Sequence, residues 1–528
     1  MQRTISIPAL LLASVSAIIG SGWLFTAYYT AELAGPAALL AWVIGGCAFI
    51  LVAFVFAELS AMIPIVGSST RIPLYTHGTL VSFLFSWIIW LSYAAMVPTE
   101  VQAIVQYASY YFPLLVHFDG SLTHQGYAVA TLLMLLVSAL NVFSLRWLMR
   151  CNSVLTILKI LIPLFICSVL LILFFSPQRE FHPAYSQFMP FGWHGVFAAL
   201  TTGGIAFAFN GFKQACELAG EAKNPTRALP IAIIGSVGLC LLIYLLIQSA
   251  LFTSLTGKNL ISGWANLHLA GANSPLAAIL AQDNLQWLMP ILYLGALIGP
   301  LAAALMYMSS ASRSLYGKSK NGYIPEIFQL LNSWNNPTYA IVANFLLGMC
   351  VFAPLPGWNS MIGFMTSLMG ATYAIGPVSM LALYRQVPEF SRPFKLPLPH
   401  FWGYITFYFC TLLTYWSGWN IIWKLILAII FGVFLFFLYY FLSERGRKLE
   451  LNWRQSIWVW PYFMGIAIIS YFGNYGGGRG VISFGWDFII IALFCMIIIY
   501  LSQKFILPAH KTKQYLAKLN IKGLIDRV

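Results

Sequence analysis

Two glycine pairs and a few isolated charges are the residues of this chain whose types and spacing could do chemistry. The first pair is Gly20-Ser21-Gly22, followed by Trp23. The second is Gly203-Gly204, followed by Phe207-Ala208-Phe209-Asn210-Gly211-Phe212. Each interrupts a long apolar segment. A break in an apolar helix leaves bare N–H groups where one half-helix starts and bare C=O groups where the other ends. The first attract an anion such as a carboxylate, the second a cation such as an ammonium. A zwitterionic amino acid needs both within a short distance. Small residues also let helices pack closely. The matched positions of the two pairs, with Asn210 beside the second, favour a binding site.

The charges add a second kind of chemistry. Lys159 stands among Leu and Ile, where an ammonium costs several kcal/mol unless it is paired or neutralised. Such a lysine can exchange protons. The alternative is snorkelling to the inner face, about two turns away at Arg150. Lys213 follows the second glycine break directly. Glu100, after Pro98, stands in the outer half of its segment, where it can face a pathway and act in selectivity or gating. Glu58, one turn from Pro64, reads as a structural partner for an arginine. Glu32 and Asp487 stand near segment ends, where the pattern does not ask for burial. The eight cysteines form no C-x-x-C pair and the histidines no ligand pattern, so neither a metal site nor a disulfide framework is expected.

The elements that must position these residues are membrane helices. Of 528 residues, 60% are hydrophobic and 8% charged, against roughly 25% charged in soluble domains. Spans of about 20 apolar residues are predicted near 7–31, 37–63, 80–112, 126–145, 153–176, 194–214, 228–254, 286–312, 338–354, 359–384, 401–419, 421–443, 456–473 and 483–503. With the N-terminus inside, 22 of the 28 Lys and Arg residues fall on the inner side and three (Arg179, Lys258, Arg479) on the outer. A miscounted span would invert this bias downstream, so an even number of spans with both termini cytoplasmic is expected. The remaining three are Lys424, which can snorkel, and Lys159 and Lys213. The net charge of +14 is not gathered on one amphipathic face, so anionic membrane lipid explains it better than nucleic acid. The first apolar run lacks a cleavage signature and reads as a retained span. The connection around 255–285 has room for a short surface helix.

The second break lies in span 6, five spans after the first. An odd offset gives the two groups of five opposite topology, the pattern of an inverted-repeat transporter with discontinuous helices at the midplane. The expected organisation is a core over 1–395 (spans 1–5 at 7–176, spans 6–10 at 194–384), accessory spans 11–14 over 396–503 and a basic tail over 504–528.

Several stretches together resemble the amino acid–polyamine–organocation superfamily of transporters. They are Gly20-Ser21-Gly22; Ala57-Glu58-Leu59-Ser60 with Pro64 and Gly67; Phe207 through Glu221-Ala222-Lys223-Asn224-Pro225-Thr226-Arg227-Ala228-Leu229-Pro230; Ser312-Arg313 through Gly322-Tyr323-Ile324-Pro325; and Arg392-Pro393-Phe394-Lys395. The resemblance covers roughly residues 5–400 and implies an all-α, five-plus-five inverted-repeat core. It implies a substrate carboxylate on N–H groups near Ser21, Gly22 and Trp23, and an ammonium on carbonyls near Ile18, Phe207 and Asn210, with Gly20, Phe209 and Gly211 shaping the site. Tyr307 falls at an aromatic lining position. Lys159 falls where proton-coupled members carry a lysine in place of a sodium ion, with Ser309 and Ser310 beside it. Many members, notably exchangers of basic amino acids, have a glutamate where this chain has Lys213. A cation there disfavours arginine or a diamine and suits an acidic or neutral substrate; the alternative is that Lys213 points to the cytoplasm. Fourteen spans resemble the branch that includes aspartate–proton symporters.

The expectation is therefore proton-coupled symport of an amino acid across a bacterial inner membrane, with the proton as coupling ion and no cofactor. Exchange of one amino acid for another or for an amine is the alternative within transport. An enzyme acting on lipids needs a convergent nucleophile, base or metal set, and a channel needs a filter motif. The sequence carries neither.

Overall fold

The computed structural model describes residues 5–519 except 66, 144, 175–186, 268 and 270–272, and the backbone alone over 145–151. Arg3, Arg179, Lys522 and Arg527, and the side chains of Arg146 and Arg150, therefore lie outside the description. Helices stand at each of the fourteen predicted spans. Among the described residues, nine helices are long and apolar enough to cross a membrane, and Ile7–Ile18 and Thr338–Val351 are shorter and apolar. No strand forms among the described residues. This suits a bilayer, where backbone groups must be satisfied within the segment.

Span 1 is two helices, Ile7–Ile18 and Gly22–Ala34. The first starts at Ile7-Pro8 behind a Ser6 cap whose Oγ accepts from the Ala9 N–H, since proline in the first turn sacrifices no internal hydrogen bond. Span 6 is also discontinuous: Gly192–Thr201, then the single turn Ile205–Ala208, then Gln214–Glu217. The other core spans are Ala38–Met62, Thr79–Ala108, His124–Val142, Leu145–Phe174, Pro225–Ser254, Met289–Lys320, Thr338–Val351 and Gly357–Gln386.

The packing repeats under exchange of each span for the one five places on. Spans 2, 3 and 4 pack on their counterparts 7, 8 and 9. Span 1 packs on span 7 as span 6 packs on span 2, and span 5 packs on span 8 as span 10 packs on span 3. This two-fold pattern places the breaks of spans 1 and 6 together at the centre. The accessory spans Pro399–Trp416, Trp419–Leu442, Val459–Phe472 and Trp486–Lys504 sit beside spans 2, 3 and 10. Large apolar side chains that face outward, such as Leu161, Leu242, Phe434 and Leu493, are exposed and suit contact with lipid tails.

Three features differ from the sequence reading. Span 8 runs on through Arg313 to Lys320, so Lys318 is buried, with its ammonium 4.3 Å over the Trp90 ring and 5.3 Å over Trp87. It belongs to a cation–π contact rather than to a solvated loop. Asp487 is buried, because it accepts the Tyr415 hydroxyl at 3.2 Å and the N–H groups of Gly485 and Phe488 at the start of span 14. Two helices unseen in the hydropathy pattern pack together, Ser68–His77 and Ala509–Ala517. The Thr512 hydroxyl donates to the Tyr75 carbonyl at 2.9 Å, and Lys513 pairs with Glu389 at 2.7 Å. The outer connection holds the short helix Pro275–Gln282.

Candidate functional site

The two breaks touch. Gly211, at φ +129°, lies so close to span 1 that an added Cβ would stand 2.5 Å from the Ala17 carbonyl carbon and the Ile18 nitrogen. Only glycine fits such a conformation at that separation.

The carbonyl end of the first half of span 1 is held by three side chains from three other spans. Lys159 donates from Nζ to the Ser16 carbonyl at 2.5 Å and reaches Ser16 Oγ at 3.3 Å. The Tyr307 hydroxyl donates to the Ala17 carbonyl at 3.3 Å, and the Tyr244 hydroxyl to that of Ile18 at 3.1 Å. Ser16 Oγ in turn donates to Asn152 Oδ1 at 2.7 Å. Lys159 is 2% exposed, so it does not snorkel. Its place at a helix C-terminus is where a cation is favoured. The Ser310 hydroxyl donates to Gln214 Oε1 at 2.8 Å, while the bonds of the Lys159 ammonium go to Ser16 rather than to Ser309 or Ser310.

The N–H end of the same break carries a carboxylate. Glu100 Oε2 accepts the Ser21 N–H at 2.7 Å. The Ser21 hydroxyl accepts from Trp358 Nε1 at 2.9 Å. Trp358 stacks on Phe25, with centroids 4.6 Å apart, and stands edge-on to Phe207 at 5.5 Å. These rings pack beside the amide end of the break. Trp23, 2% exposed, turns its indole toward Gly295 and Gly299 of span 8.

The break in span 6 is neutral by comparison. Its Phe207 carbonyl accepts the Asn210 N–H at 3.0 Å. Asn210 Oδ1 accepts the Tyr373 hydroxyl at 2.9 Å, and its Nδ2 is buried without a hydrogen-bond partner. Phe209 stacks on Phe49 at 5.3 Å. Lys213 does not point to the cytoplasm. It is 2% exposed, with Nζ 3.4 Å from Thr372 Oγ1, 4.6 Å over the Tyr373 ring and 5.5 Å over Phe56.

One turn below lies a residue that sequence reasoning missed. The Glu217 carboxylate accepts the hydroxyls of Ser69 and, at 3.1 Å, of Tyr93. Its own carbonyl accepts the Gly67 N–H at 3.2 Å, and Ser68 Oγ donates to the Cys216 carbonyl at 3.0 Å. The helix Ser68–His77 is thereby latched to the end of span 6. The four-residue spacing of Lys213 and Glu217 was the available signal, since it puts opposite charges on one helix face. Glu58 is structural: it accepts the Leu396 N–H at 2.9 Å and lies 3.6 Å from Arg392.

A helix break that offers an amide end and a carbonyl end beside aromatic rings can hold a small zwitterion. Comparison with known proteins agrees. A family model described as amino acid permease matches residues 5–469, and the chain belongs to that family. It is 31% identical over 505 residues to a glutamate/serine transporter of Bacillus subtilis (strain 168), across 94% of this chain and 93% of the relative. It is 31% identical over 514 residues to an aspartate-proton symporter of the same organism, across 96% of this chain and 97% of the relative. A branched-chain amino acid permease of that organism is 26% identical over 467 residues, across 85% of this chain and 95% of the relative. The chain is an integral membrane amino acid transporter, not an enzyme.

Proposed function

We propose that this permease carries its amino acid together with a proton, by alternating access, with Lys159 as the coupling group. The carrying observation is the Lys159 ammonium, buried and bonded to the Ser16 carbonyl at 2.5 Å, two residues before the helix ends at Ile18. A charged Lys159 holds the first half of span 1 against span 5. A neutral one loses most of that attraction, because charge-assisted hydrogen bonds are roughly twice as strong as neutral ones. The proton state of one side chain thus biases the position of the helix that lines the site. The proton is the only coupling species invoked, and no cofactor enters.

The substrate we propose is an acidic or small polar amino acid. Lys213, buried beside Asn210 and Tyr373, supports this by disfavouring a second cation. The names of the relatives, which include glutamate, serine and aspartate, support it too. The segregation of Lys and Arg supports our reading that both termini are cytoplasmic, in a bacterial inner membrane.

Uptake of labelled glutamate, aspartate and serine into proteoliposomes tests the coupling. Accumulation should follow an imposed inward proton gradient. Accumulation that follows a sodium gradient and ignores pH would refute it.

A further inference from the structure

The amide that the first break offers to an anion is already occupied by the protein itself. Glu100, 79 residues away in sequence, sets Oε2 on the Ser21 N–H at 2.7 Å. Its other oxygen, Oε1, is buried with no hydrogen-bond partner. The carboxyl lies against Gly20, in space that a Cβ there would fill. Glycine at this position is what admits the carboxyl group. The residue is 1% exposed, and a buried carboxylate left half-satisfied is costly. Such a group is unlike Glu58 or Glu217, whose carboxylates each take two or more partners.

Across the same break, Lys159 occupies the carbonyl end. The protein therefore presents its own carboxylate at the amide end of the break and its own ammonium at Ser16, two residues before the carbonyl end. The charged and titratable groups facing Glu100 are Lys159 from span 5, Tyr244 from span 7 and Tyr307 from span 8. Span 1 contributes only the Ser21 amide and hydroxyl, and span 10 contributes Trp358 to that hydroxyl. Among the described residues, no second carboxylate or histidine faces it.

We propose that Glu100 is a tethered stand-in for the substrate's α-carboxylate. It fills the anion position of the empty transporter and yields it when protonated. Two carboxylates cannot share one amide, because like charges at hydrogen-bond distance repel strongly. When Glu100 takes a proton from hydronium on the open side, an O–H bond forms on its carboxyl and one O–H bond of the hydronium breaks, leaving water. The neutral acid no longer competes for the Ser21 N–H, and its O–H can donate to the arriving carboxylate. When the substrate leaves, the proton leaves Glu100 and the carboxylate returns to Ser21. One proton thus enters with each α-carboxylate. This rests on the proposed reading of the breaks as the substrate site and of Lys159 as the coupling group.

The test is equilibrium binding of labelled L-serine and L-glutamate to the purified full-length protein from about pH 5.5 to about pH 8, wild type against Glu100→Gln. Wild-type affinity should weaken by up to about tenfold per pH unit on the alkaline side. Glu100→Gln, which mimics the protonated acid, should bind at every pH as tightly as the wild type binds at acid pH. A variant with the wild-type pH slope would overturn the proposal. So would a variant with unchanged melting temperature that binds neither amino acid at any pH. If the variant does not fold, calorimetry of the wild type in two buffers of different ionisation heat decides the matter. Serine binding should take up about one proton, and uptake of none overturns the proposal. Wild type that binds neither amino acid at any pH would overturn the transport reading, and with it this one.

Discussion

The two helix breaks occupy equivalent places in the two repeats, yet they are finished differently. In span 1 both ends meet ionisable groups, Lys159 at the Ser16 carbonyl and Glu100 at the Ser21 amide. In span 6 the partners are neutral, with Asn210 held by the Tyr373 hydroxyl and the surroundings built from Phe49, Phe56 and Phe212. Lys213, at the end of this break, stands over aromatic rings and makes no bond to a break backbone group among the described contacts. One topological device has been given two chemistries. The span-1 break sets ionisable groups on its own backbone ends, and the span-6 break sets amide and hydroxyl groups there with its one cation, Lys213, over aromatic rings.

The largest effect should come from forcing the two breaks apart. Gly211→Ala puts a methyl group into the span-1 backbone. Strain and overpacking of this kind cost on the order of 2–5 kcal/mol. Transport should be lost and the melting temperature should drop, as read by thermal denaturation in detergent. A variant with wild-type stability would show that the breaks are not in contact.

Next is Lys159→Ala, which should reduce gradient-driven accumulation by more than about tenfold, since hydrogen bonds to charged groups are worth roughly 1.5–3 kcal/mol. Binding and counterflow without a gradient should persist in part. If accumulation survives unchanged, the charged break is not the coupling element. Lys213→Met should lower the preference for glutamate over serine in competition binding by a few-fold and leave the pH dependence alone. An equal loss for both amino acids would make Lys213 structural.

Tyr373→Phe removes one hydroxyl from the neutral break, worth about 1 kcal/mol. Substrate affinity should fall several-fold with no change in the pH profile. A shifted profile would blur the distinction between the breaks.

The smallest effect belongs to the exposed pair outside both. Lys513 holds the Glu389 carboxyl below its ordinary range. This contribution is present above the ordinary carboxylate range and disappears as pH falls through the lowered value. Lys513→Ala should change stability by less than about 1 kcal/mol, and less again at high salt.

Much of this arrangement was legible in the sequence, and the reason is the bilayer. Twenty apolar residues in a row mark a span whatever its partners are, and Gly20-Ser21-Gly22 and Gly203-Gly204 mark the interruptions locally. Lys159 stood out because nothing nearby in sequence could neutralise it. What the sequence left open were the partners. Glu100 reaches Ser21 across 79 positions and Trp358 reaches Ser21 across 337. No local periodicity encodes such pairings. The bond from the Ser310 hydroxyl to Gln214, 96 positions away, is of the same kind. The helix Ser68–His77 was missed because its polar composition and its proline suggest a loop, and its contacts are with Glu217 and the tail.

The most direct test of the central claim is proton movement itself. Proteoliposomes loaded with a pH-sensitive dye, with no imposed gradient, should acidify inside when L-glutamate or L-serine is added to the wild type. They should not do so with Lys159→Ala, which is left with exchange alone: labelled substrate still enters by counterflow, and any proton carried in on Glu100 leaves with the outgoing substrate. Substrate entry into wild-type vesicles without acidification would contradict the assignment of coupling to the charged break of span 1.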